Sequence, residues 1–226
     1  MIILVLYAIC FVSEIMYKET LLSFSLSKDG IPWIQRDDVT SAGVKKFFLI
    51  LTKMGGGKEM LIWFILSFIF QRRASAIYVC SILALDKLIN SYLKLLYANP
   101  RPYMIESTIQ PIDCSTSFGS PSGHSSSASM IATTLFLHTF HGYTHSENKY
   151  LKRELYRHFY GSCVYFTSLL VAMFWFFGIP FSRYLMGVHS LDQVLFGNSL
   201  GCVGGFIMHF VVRDHFIKNY NDLIEW

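Results

Sequence analysis

Four stretches of this chain, 74–96, 121–141, 159–178 and 186–212, are apolar over lengths that few soluble folds can use. Each comes near the ~20 residues that a helix rising about 1.5 Å per residue needs to cross a hydrocarbon core. Lipid offers the backbone no hydrogen bonds, so such stretches must be helices that satisfy themselves. The expected fold class is therefore all-α, an integral-membrane bundle. Composition agrees: the 226 residues are 53% hydrophobic and only 15% charged, against roughly 25% charged in an ordinary soluble domain. Two shorter runs bring the expected count to about six transmembrane helices. Residues 2–16 contain Glu14 and read as a truncated first span or signal-anchor, without the basic region and small-residue cleavage site of a removed signal peptide. Residues 61–70 are short, but Gln71, Arg72 and Arg73 can snorkel at their end.

No repeat, low-complexity tract or long linker divides the chain, so residues 1–226 are read as a single membrane domain. The polar segment 17–46 leads into GVKKFFLILTKMGGG, where lysines flank a short apolar stretch. That pattern predicts an interfacial helix before the second span. The triple glycine at 55–57 is not a phosphate loop, because Thr52 stands in place of its first glycine and Glu59 in place of its serine or threonine. A net charge of +4, spread along the chain, leaves no nucleic-acid footprint. Cys10, Cys80, Cys163 and Cys202 lie inside apolar runs and only Cys114 lies in a loop, which speaks for small buried hydrophobes rather than a disulfide framework or a zinc knuckle.

With a cytosolic amino terminus, six spans place residues 71–73, 142–158 and the carboxyl tail on the cytosolic side. Arg72, Arg73, Lys149, Lys152, Arg153 and Arg157 fall there, as the positive-inside rule prefers. Loops 97–120 and 180–185 then share the lumenal or extracellular side, in the endoplasmic reticulum, another endomembrane or the plasma membrane.

Polar residues mark the same side. Lys87, Asn90, Ser91 and Lys94 recur at i, i+3, i+4 and i+7, one face of a helix. Ionisable groups at membrane depth cost at least ~2.5 kcal/mol, so this seam should face the bundle interior, with Lys87 neutralised by Asp86 or by another helix. Beyond it, Pro100 and Pro102 stiffen the chain around Arg101. In FGSPSGHSSSASM, Ser120 reads as an N-cap and Pro121 as the first helical residue. The amides of Ser122, Gly123 and His124 would then point outward at the positive end of a helix, ready for an anion, with His124 beside it as a proton carrier.

In FSRYLMGVHSLDQVLFG, Pro180 should end the fifth span and leave Ser182 and Arg183 in a turn. His189 should then lie inside the last helix, with Asp192 and Gln193 on its own face at i+3 and i+4. A carboxylate or amide that holds one ring nitrogen leaves the other free as a base or nucleophile, although a structural pair would look the same. Lys94, Arg101 and Arg183 supply three positive charges for a phosphate, and two histidines can divide nucleophilic and acid work. No metal or other cofactor is required. His138, His141 and His145 sit at the far end of the fourth span, roughly 20 to 30 Å from His124, too far to join this site.

Lys94-LLYANP-Arg101-Pro102, Pro121-Ser122-Gly123-His124 and Ser182-Arg183-YLMGV-His189 resemble, in order and spacing, the three-part signature K-x6-RP, PSGH and SR-x5-H-x3-D. That is the signature of the type-2 phosphatidic acid phosphatase and vanadium haloperoxidase superfamily, and its frame covers about 43–213. The resemblance implies a metal-independent phosphatase of membrane lipids, with His189 as the nucleophile that forms a phosphohistidine and His124 as the general acid. It implies that Lys94, Arg101, Ser122, Gly123 and Arg183 bind phosphate. The soluble haloperoxidase branch fits poorly with such apolar helices. One position departs: the signature's aspartate falls where this chain has Gln193, with Asp192 one residue early. Dolichyl diphosphatases and glucose-6-phosphatases are similar in carrying glutamine there. A non-catalytic membrane subunit or lipid-binding scaffold remains the alternative. A channel lined by the Lys87 to Lys94 seam ranks last, because the residues before Asp86 are nearly all apolar.

Overall fold

The computed structural model describes residues 27–56, 73–144 and 159–224, with isolated helical positions at Ile62, Ile65, Phe68 and Ile69. The expected first span at 2–16, most of 61–70, Cys10, His145 and the basic loop 145–158 lie outside the described residues, as do the side chains of His138, His141 and Cys163. Helices α1 (Gly30–Gln35) and α2 (Ala42–Met54) precede the long α3 (Arg73–Tyr97) and the one-turn α4 (Pro102–Ile105). Then come α5 (Gly123–Thr144), α6 (Phe159–Leu185) and α7 (Leu191–Ile207). A π-helical turn (Met208–Val212) joins α7 to α8 (Arg213–Ile224). Among the described residues there is no strand.

Among the described residues two helical stretches, Arg73–Ile105 and Leu191–Tyr220, are long and apolar enough to cross a membrane. Helices α5 and α6, of 22 and 27 residues, have the length as well. The exterior carries Leu88, Leu95 and Leu96 on α3 and Phe166, Leu170, Val171 and Phe177 on α6, all more than half exposed. Inside are Asp86, Asn90, Arg101, Arg183, His189 and a row of serines. Apolar outside and polar inside is the arrangement a bilayer selects.

Helix α5 is the central element and packs on α7, α6 and α3. Serines at its start and along it explain the closeness: Ser122, just before the helix, and Ser125, Ser126, Ser127 and Ser129 are wholly buried. On α7, a Cβ at Gly197 would strike the Ser122 carbonyl and one at Gly201 the Ser126 carbonyl. The hydroxyl of Ser129 donates to Asn198 across the same seam. Small residues on both faces thus let two backbones touch. Around this seam, Tyr78, Val79, Ile82 and Leu83 meet Met130 and Ile131 on one side. Leu51, Ala128, Ala132, Trp175 and Ile179 form a second cluster.

Helix α2 realises the helix expected before the second span. Ser41 caps it, accepting from the Val44 amide at 3.5 Å, and it leans on α6 where Leu51 meets Gly178.

Three local expectations give way. Pro180 does not end a helix: α6 runs through it to Leu185, so Ser182 and Arg183 occupy the last turn. Proline costs the helix one donor, but the fully buried Ile179 is held by tertiary packing and its carbonyl accepts from the Ser182 hydroxyl at 2.6 Å. His189 lies two residues before α7, because Ser190 takes the extended N-cap geometry and Gly187, at φ +69°, turns the chain there. Finally, α5 starts at Gly123 rather than Pro121, with the Ser126 amide donating to the Ser122 carbonyl at 3.0 Å as its first turn.

Candidate active site

The site is built where α3, α5, α6 and α7 bring their ends together, and each signature segment supplies a side chain already tied to another segment. His189 is 1% exposed. Its Nδ1 lies 3.2 Å from Gln193 Oε1, and its Nε2 lies 3.2 Å from Arg101 Nη1. The tautomer follows from the partners. Gln193 Nε2 donates to the Pro100 carbonyl at 2.8 Å, which fixes the amide so that Oε1 faces the ring and must accept. Nδ1 therefore carries the hydrogen, and Nε2 presents its lone pair toward a guanidinium that can only donate. Burial, together with the charges of Arg183, Arg101, Lys94 and the neighbouring His124, holds His189 well below the ordinary histidine range.

Gln193 does more than orient a ring. Its side-chain oxygen lies 3.4 Å from the Ser190 amide, and its backbone carbonyl accepts from the Ser122 amide at 3.0 Å. A Cβ on Gly119 would lie 2.7 Å from its Cδ. This one residue therefore joins the segments around Pro100, Ser122 and His189. The expectation left Asp192 and Gln193 open as the partner of His189, and the ring's hydrogen bond goes to Gln193. Asp192 is partly buried in the first turn of α7.

Arg101 is 2% exposed and threaded through backbone oxygens. Its Nε donates to the Ser117 carbonyl at 2.8 Å, Nη1 to the Val188 carbonyl at 3.0 Å and Nη2 to the Ser117 hydroxyl at 3.0 Å. Tyr103 anchors that loop, donating to the Ser115 carbonyl at 2.8 Å. Lys94 donates to the Phe118 carbonyl at 2.6 Å. Arg183 Nη1 reaches Thr52 on α2 and Asp113 in the loop before α5, each at 3.2 Å. Its Nε is buried and has no hydrogen-bond partner among the described residues, a donor that an incoming anion would complete.

The amide expected of Ser122 is not available to an anion, because Gln193 takes it. Ser122 itself is fully buried, and its hydroxyl accepts from Ser125 at 2.9 Å. Gly123 and His124 open α5, so their amides have no carbonyl one turn back within the helix. His124 is partly exposed.

The α3 seam divides. Asn90 is buried, Lys87 and Lys94 are partly buried, and Ser91 faces out. Asp86 turns away from Lys87 and accepts from Ser126 and Ser127 at 2.5 Å each. Among the described residues no carboxylate lies within 4 Å of the Lys87 ammonium. Among the described residues Asp86 therefore makes no ion pair with Lys87, and its hydrogen bonds clamp α3 to α5.

Thr52, Asp113, Ser117 and Gly119 join the site from outside the signature. Nothing in their local sequence marks them, because each matters only through a neighbour more than fifty residues away or through a loop crossing. Among the described residues no three histidine, cysteine, aspartate or glutamate side chains gather as a metal would need.

Comparison with known proteins places this geometry. Residues 75–217 match the model of the PAP2 superfamily. A dolichyldiphosphatase of Saccharomyces cerevisiae is 26% identical over 74% of this chain, which spans 63% of that protein's length. The fold is similar to a transmembrane PAP2-type phosphatidylglycerolphosphate phosphatase from Bacillus subtilis, with a TM-score of 0.66 and 20% identity over 97% of this chain and 96% of that one. It is similar also to LpxE of Aquifex aeolicus, with a TM-score of 0.61 and 21% identity over 85% of this chain and 97% of that one. A family match over more than half the chain, on the residues that build the site, makes this protein a member of the PAP2 superfamily.

Proposed function

We propose that the protein is an integral-membrane phosphatase that releases phosphate from a lipid phosphate or diphosphate through a phosphohistidine on His189. The observation that carries the reading is the fixed His189 ring, held at Nδ1 by Gln193 and facing Arg101 with Nε2. A neutral imidazole with one locked nitrogen is a nucleophile already oriented.

In the first step a phosphate oxygen takes over the Arg101 donor and brings phosphorus to Nε2. The N–P bond forms as the ester or anhydride P–O bond breaks, and His124 gives its proton to the leaving oxygen. In the second step water attacks phosphorus, the N–P bond breaks, and His124 recovers a proton from the water. Lys94, Arg101 and Arg183, with the amides at Gly123 and His124, spread the charge on the phosphoryl oxygens. Ser122 shapes the cradle through its backbone.

The membrane setting favours a lipid substrate, whose head group reaches the helix ends while its chain stays among the apolar faces of α3 and α6. The basic segments at 71–73 and 142–158 support a lumenal or extracellular position for the site. The hydrogen bond between Gln193 and His189 favours a working site over a non-catalytic membrane subunit.

The test is phosphate release from detergent-dispersed phosphatidic acid and a prenyl diphosphate, with chelator present and His189→Ala as control. Release that depends on His189, with an acid-labile phosphoryl label mapped to it, is expected. Release that survives His189→Ala, or a label on His124 instead, overturns the mechanism.

A further inference from the structure

The polar face of α3 continues below the residues that hold the transferred phosphate, and two groups there have no acceptor among the described residues. Asn90 lies one turn before Lys94, and Lys87 about one turn earlier again, roughly 6 and 10 Å deeper along the helix. The Asn90 side chain is 3% exposed. Its Oδ1 stands 3.1 Å from where a Cβ on Gly123 would sit, so the amide faces the start of α5, next to His124. Among the described residues its Nδ2 has no hydrogen-bond partner. An unmet buried donor is costly, and a bound ligand or ion is one way a native fold completes it.

Lys87 is the second group. Its neighbour Asp86 spends both oxygens on Ser126 and Ser127, and among the described residues no other carboxylate reaches the ammonium. Lys87 is partly buried and lies on the same face of α3 as Asn90, about one turn deeper. The start of α5, where His124 lies, therefore faces the Asn90 amide, with the Lys87 cation about one turn deeper on the same face of α3.

From these placements we infer that Lys87 and Asn90 form a second anion subsite, which holds the phosphate that departs with the lipid when the substrate is a lipid diphosphate. The inference rests on the phosphatase reading, in which His124 protonates the leaving oxygen. In a diphosphate that oxygen joins the two phosphorus atoms. The phosphorus nearer the lipid chain must then lie on the membrane side of His124, where Lys87 and Asn90 wait. A monoester places only an alkyl carbon there and leaves both groups unmet.

The experiment compares two non-hydrolysable ligands with one prenyl chain, a bisphosphonate and a monophosphonate, binding to the full-length protein in detergent by calorimetry. The wild type should prefer the bisphosphonate by about tenfold or more, as expected for charge-assisted hydrogen bonds. Lys87→Met and Asn90→Leu should each erase most of that preference, while weakening monophosphonate binding about threefold or less. Asn90→Asp, which keeps the side chain's size but adds a negative charge, should reverse it. A wild type without preference, or variants that weaken both ligands alike, would overturn the subsite. Turnover answers the other question: a protein that shows the preference yet releases no phosphate keeps the subsite and loses the catalytic reading.

Discussion

Gln193 is the residue whose meaning changes most between sequence and structure. As a departure from the signature it stands where an aspartate is expected, yet only an amide can both accept from His189 Nδ1 and donate to the Pro100 carbonyl. Gln193→Ala should therefore lower kcat by about 10- to 100-fold, the usual cost of losing a residue that orients a reactive group. Asp192→Ala should cost less, and kcat for the two variants on one lipid phosphate checks the order. His189 carries a second prediction. Its pKa is below that of the unfolded chain, so the unfolded state binds the extra proton first as pH falls. The neutral ring's contribution to stability is complete above about pH 6.5 and is lost as pH drops through lower values. The Tm difference between wild type and His189→Gln in detergent should shrink on acidification below that point. A difference that grew instead would mean the ring is protonated in the folded protein.

At the scale of elements, the contact of α5 with α7 decides how precisely the two histidine segments face each other. Gly201 sits against the Ser126 carbonyl so closely that any Cβ must push the backbones apart. Gly201→Val should therefore destabilise the protein by about 1–3 kcal/mol or more, as overpacking does. It should also lower phosphate release, because the same shift moves Ser122 away from Gln193. Thermal unfolding in detergent measures the first effect and turnover the second. The apolar length of these helices was legible from the runs at 121–141 and 186–212. Their ends were not. Pro180 reads as a stop and His189 as a helical residue, because local rules weigh a missing donor and a residue spacing. The fold instead weighs the buried Ile179, the turn at Gly187 and the cap at Ser190.

Over the whole molecule, apolar side chains outside and charged ones inside predict a protein that stays in the membrane pellet through an alkaline carbonate wash. Release into the supernatant would contradict the integral reading. Amino-acid sequence alone dictated the helical class, because long apolar runs leave the backbone no other partner in lipid. It also determined which residues could serve a phosphate, because cations, histidines and helix-start residues recur in three spaced segments. How they meet was set by the packing of the helices. Gln193 rather than Asp192 takes the ring, Asp86 clamps serines instead of Lys87, and Thr52 arrives from α2 to touch Arg183. Each of those choices is a hydrogen bond between distant segments. Its geometry is set by how closely packed helices approach, which no local spacing records.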